Sequence, residues 1–109
     1  MTVKSIFDFL NSRFPMTDAM DFDNVGILIG DPETEIKKAL VCLDCTLEAI
    51  NYAKEKGCDL IITHHPVIFS PLKSILKGSV QYEVLRHNLS VISMHTNLDI
   101  GMGGVNDSL

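Results

Sequence analysis

The chain has four histidines, and two of them, His64 and His65, stand side by side in "IITHHPVIF", behind an apolar run and ahead of a proline. A third, His95, opens "HTNLD", which closes on Asp99. Imidazoles and carboxylates bind divalent ions and move protons near neutral pH. The pair therefore has three readings: a metal site, a catalytic acid–base pair, or two polar residues that happen to close a strand. Neighbouring residues of an extended segment face opposite ways, and Pro66 holds His65 in extended backbone. Two imidazoles splayed like this do not easily chelate one ion. Beside a carboxylate they suit two ions, each histidine on its own and Asp99 bridging. Ions about 3.5–4 Å apart can activate a water between them. In the plain alternative, one histidine caps a strand end and the other is solvated. For a lone histidine that reading would lead; His95 and Asp99 at the next strand end weigh against it.

Those residues need a scaffold that gathers them. Ile6, Phe7, Leu10 and Phe14 recur at helical spacing, which predicts an amphipathic helix over 3–13, stopped by Pro15. "MTDAMDFDN" (16–24) reads as an irregular acidic loop and "VGILIG" (25–30) as a short strand. "KALVCLD" (38–44) is a continuous apolar run ending in a carboxylate. "TLEAINYAKEKG" (46–57) predicts a helix capped by Thr46 and stopped by Gly57, with Leu47, Ile50 and Ala53 on one face. "CDLIIT" (58–63) is the next strand, "SVQYEVLRHN" (79–88) a helix capped by Ser79, and "LSVISMH" (89–95) a further strand. Unalternating apolar strands separated by helices predict an α/β fold, a parallel-sheet core with flanking helices. One such domain fills residues 1–109, a length too short for two. In open parallel sheets ligands bind outside the carboxyl ends of the strands. The strands end at Asp44, at His64 and His65, and at His95 with Asp99 close behind, so all would meet on one edge.

Composition narrows the partners. A net charge of −5 with nine scattered Lys and Arg argues against nucleic acid, whose binders carry a basic stripe. An anionic small substrate would need a cation in the site. No run approaches the roughly 18 apolar residues of a membrane helix, and Asp8 and Arg13 within the first apolar periodicity argue against a signal peptide. Three cysteines, an odd count without framework spacing, predict reduced thiols and a cytoplasmic location. Cys42 and Cys45 form a Cys-x-x-Cys that reads as core packing. "GMGGVND" (101–107) reads as a turn into a helix starting near Val105, whose N–H groups could hold an anion. The methionines read as core filler and His87 as solvated.

"DNVGILIG" (23–30), "ITHHPVIF" (62–69), "HTNLD" (95–99) and "GGVND" (103–107), in this order, resemble the Nif-three-like family. Its members are commonly described as GTP cyclohydrolase 1 type 2 homologs or dinuclear metal-binding proteins. The resemblance implies an α/β fold with two ions in a cleft, held by His64, His65 and Asp99, and assembly into a homohexameric ring with the sites facing an inner cavity. The cyclohydrolase name implies opening of a guanine nucleotide's imidazole ring. Family members are considerably longer, and their second half supplies a further histidine and glutamate. The chain is therefore expected to be an N-terminal fragment whose metal binding is weak or partial. Phe22 stands where the family often has tryptophan. Histidine and carboxylate ligands suit two divalent ions of zinc, iron or manganese. The expected function is a metal-dependent hydrolase of a nucleotide-like small molecule, with His95 as proton shuttle or extra ligand and with Asp44 and Asp23 orienting ligands. The alternatives are a non-catalytic metal-binding regulatory or interaction protein and, last, a mononuclear structural zinc site.

Overall fold

A computed structural model of the chain describes residues 1–14, 24–68 and 70–94. Its elements in order are α1 (Val3–Arg13), β1 (Gly26–Ile29), β2 (Ala39–Cys42), α2 (Leu47–Glu55), β3 (Leu60–Thr63), α3 (Val80–Arg86) and β4 (Ser90–Ser93). The four strands form one sheet in the order β1-β4-β3-β2. β2, β3 and β4 run parallel, in register from Ala39, Leu60 and Ser90 to Cys42, Thr63 and Ser93. This is the α/β architecture and parallel core that the apolar runs predict. β1 makes the sheet mixed: it runs antiparallel along β4, with Gly26 facing Ser93 and a register shift between Ile27 and Ile29. The link 30–38 explains the direction. An antiparallel β1 ends at the edge where β2 begins, whereas a parallel one would need a crossover of a dozen or more residues.

Successive strand residues face opposite sides, so each buried strand serves two cores. Ile29, Ile61 and Val91 pack with Ile50 and Ala53 of α2 and Val84 of α3. Leu60, Ile92 and Met94 pack on the other side with Val3, Ile36 and the half-buried Ile6, Phe7, Leu10 and Phe14. Because both faces are covered, β3 and β4 show no alternation in sequence. α1 lies against β1, and towards β2 that face opens, leaving Val41 and Leu43 exposed. Leu47, expected on the buried face of α2, also lies exposed at its first turn, while Ile50 and Ala53 are buried.

Hydroxyl caps start the helices. Thr2, Thr46 and Ser79 accept from the amides of Ser5, Ala49 and Tyr82 at 3.1, 3.1 and 3.2 Å. Thr46→Ala should lower stability by about 1 kcal/mol, read as a shifted urea midpoint with an unchanged slope. At Gly30, φ is +114° and a Cβ would run into the side chain of Ser90, so only glycine suits the position.

Candidate metal centre

β3 ends at Thr63, and both histidines lie in the bend beyond it. The His64 N–H donates to the Cys42 carbonyl at 3.2 Å and the His65 N–H to the Leu43 carbonyl at 2.9 Å. On the other side the Met94 N–H donates to the Thr63 carbonyl at 2.8 Å. The pair is thus pinned between the exits of β2 and β4. The loop that follows is tied down as well: Asn24 Nδ2 donates to the Ile68 carbonyl at 2.8 Å, and Gln81 Nε2 to the Val67 carbonyl at 3.0 Å. The two ring centroids are 5.0 Å apart, at an interplanar angle of 65°. This differs from the splayed pair expected of an extended segment. The strand ends at Thr63, where its apolar run predicts, and the bend beyond it brings the rings edge to face.

Asp44 converges on the same point. Its Oδ1 lies 2.7 Å from His65 Nδ1, so the carboxylate accepts and Nδ1 carries the proton. In its neutral form such a ring holds its lone pair on Nε2, the electron pair a metal ion takes, and a carboxylate on the opposite nitrogen is the usual companion of a ligating histidine. The side chains of His65 and Asp44 are 46% and 59% exposed. A contact that wet contributes little to stability, so its consequence is the orientation of the ring. Next to His64 lies a concavity of about 430 Å³, lined mostly by apolar residues including Leu10, Phe14, Val41, Leu43 and Ile62.

Two imidazoles, one of them oriented by a carboxylate, fit part of a histidine–carboxylate metal site. Among the described residues no group of three His, Cys, Asp or Glu gathers closely enough to hold an ion. His95, Asp99 and Asp23, expected at this edge, lie outside the described residues, as does the helix expected near Val105.

The cysteines take no part in such a donor set. Burial, and then the Asp44 carboxylate, raises the Cys42 thiol above its ordinary value, and its Sγ donates to the Asp44 carbonyl at 3.3 Å. Cys45 is pushed up to about 12, by burial first and by Cys42 second. Both thiols pack against the core, as the spacing predicts. An unfolded Cys45 ionises near 9.0, so its contribution to stability is whole below that pH and is lost as pH rises towards about 12. Between pH 8 and 10.5 the urea midpoint of the native chain should therefore fall further than that of Cys45→Ala.

His87 departs from its expected solvated state. α3 stops at Arg86, and His87 occupies the C-cap. Its side chain is only 10% exposed, with Nε2 3.9 Å from Glu83 Oε2.

Three residues at the site escaped the reading of the sequence: Asn24, Thr63 and Ser93. Thr63 and Ser93 are 1% and 0% exposed, and each closes its strand; β4 also opens on the buried Ser90, so a strand hydroxyl alone does not single them out.

The molecule is of the α/β class, a mixed four-stranded sheet with flanking helices, and His64, His65 and Asp44 lie beyond the carboxyl ends of its parallel strands. The sequence profile of the Duf34/NIF3 family (NGG1p interacting factor 3) matches residues 1–109, and the chain belongs to that family. It is 41% identical over 109 residues to a Staphylococcus aureus (strain COL) protein named GTP cyclohydrolase 1 type 2 homolog, covering 97% of this chain and 30% of that protein. A crystal structure of a Staphylococcus aureus protein matches 98% of this chain and 32% of its own, with a TM-score of 0.94 and 40% identity. A Bacillus cereus protein related to NIF3 gives a TM-score of 0.92 and 33% identity over 98% of this chain and 30% of its own. The chain thus spans about a third of the length of these relatives.

Proposed function

We propose that the chain carries part of a dinuclear metal site belonging to a hydrolase of the GTP cyclohydrolase type, acting on a nucleotide-like small molecule. The observation that carries this reading is the 2.7 Å contact between His65 Nδ1 and Asp44 Oδ1, which turns an exposed histidine into an oriented ligand. His64, His65 and Asp99 would hold the ions, and zinc, iron or manganese suits such donors. Divalent ions there would act as Lewis acids and lower the pKa of water from 15.7 to about 7.

The chain's own residues do the rest. Asp44 sets the tautomer of His65, and the backbone bonds to Cys42 and Leu43 fix where both histidines start. His95 is assigned the movement of protons. A cationic centre would reconcile the net charge of −5 with a phosphate-bearing substrate. Assembly into a homohexameric ring and a cytoplasmic setting belong to the same proposal. No helix among the described residues is long and apolar enough to cross a membrane.

Elemental mass spectrometry tests the reading on this chain and on a chain of family length that contains it, both purified without chelator. Two ions per longer chain are expected, with hydrolysis of a guanine nucleotide that follows metal content. Metal without turnover across a nucleotide panel would favour a regulatory role, and metal in neither chain would remove the site.

A further inference from the structure

Thr63 is the last residue of β3, and its register partner across the parallel ladder is Ser93. Their hydroxyl oxygens lie 2.8 Å apart in the interior. The Thr63 hydroxyl also donates to the His65 carbonyl at 2.8 Å. A hydroxyl has one proton to give. Since Thr63 spends its proton on His65, Ser93 must be the donor to Thr63, and the chain of bonds runs one way, from Ser93 through Thr63 to the His65 backbone. We infer that Thr63, held by Ser93, is a positioning residue for the histidine pair.

The direction of the bonds gives them this role. Hydrogen bonds away from water are electrostatically stronger and polarise one another, and these start from side chains that solvent does not reach. Their end point is the carbonyl of a half-exposed residue whose amide is already tied to Leu43 and whose ring is tied to Asp44. With the amide, the carbonyl and Nδ1 all engaged, His65 is held at three points. Without the Thr63 bond His65 keeps only its amide and ring contacts, so its Cα and the ring it carries are held less firmly against Asp44.

This inference rests on His64 and His65 being metal ligands, so its test includes a readout that needs no metal. The nitrogen-15 imidazole signals of His65 report its tautomer in the metal-free 109-residue chain, and a competitive titration reports zinc affinity. Thr63→Val keeps the shape and loses the hydroxyl. It should move the two ring nitrogens of His65 towards a tautomer mixture and weaken zinc binding about 10-fold, in the range seen for groups that orient metal ligands. Thr63→Ser should restore both. Unchanged nitrogen signals with zinc affinity kept within about twofold in Thr63→Val would overturn the inference. So would a loss in Thr63→Ser equal to that in Thr63→Val, which would assign the effect to the methyl group. Should Thr63→Val fail to fold, Ser93→Ala removes only the outer donor and is expected to shift the ring signals part of the way; no shift overturns the proposal. If the native chain takes up no zinc, the metal reading falls, and the ring signals still decide whether Thr63 positions His65.

Discussion

His65→Ala is expected to abolish most metal binding and, in a chain of family length, all turnover. Groups that merely orient a metal ligand cost about 10–100-fold in affinity when removed, so losing the ligand itself should cost at least about 100-fold. Asp44→Asn belongs to the milder band. The amide keeps the shape and gives up the charge that holds the proton on Nδ1, so a loss of about 10-fold is expected. A competitive chelator titration measures both. Because the His65 side chain is 46% exposed, the substitution should change folding stability by no more than about 0.5 kcal/mol. Metal content that stays at the native level in His65→Ala would end the case for a metal centre at this edge.

Leu60→Ala should do the opposite, with a large loss of stability and little change in the chemistry of the donors. Leu60 is completely buried, in the strand flanked by both β2 and β4, and it packs with Val3, Ile36, Ile92 and Met94. Truncating a leucine at such a position costs about 2–5 kcal/mol through lost burial and the cavity left behind. A domain of this size is stable by only about 5–15 kcal/mol, so the urea midpoint should fall sharply. A drop below about 1 kcal/mol would mean that α1 and β2 close over the gap.

The parallel core could be read directly. Three apolar runs without alternation, two helices with hydroxyl caps and a glycine stop leave few alternatives to β2-α2-β3-α3-β4. β1 could be read as a strand, but its direction could not, because it depends on which sheet edge the link 30–38 must reach. The candidate site was legible as residue types at strand ends, with Asp44 and His65 as the clearest case. Its finer geometry was hidden. The alternation rule applies only while the strand lasts, and β3 releases the chain at Thr63, so the rings meet edge to face. Thr63 and Ser93 were passed over because a hydroxyl inside a sheet draws notice only once its register partner is known. His87 was misread: the expected helix ran on to residue 88, whereas α3 stops at Arg86 and His87 caps it with its side chain only 10% exposed.

β3 lies between two ladders, so the backbone leading to His64 and His65 cannot move without unzipping β2 or β4. Freezing backbone costs about 1–2 kcal/mol per residue, and here that loss is already part of folding. A ligand arriving at the carboxyl edge meets groups whose approach is fixed beforehand, and the ordering cost is charged to the sheet instead of to the complex.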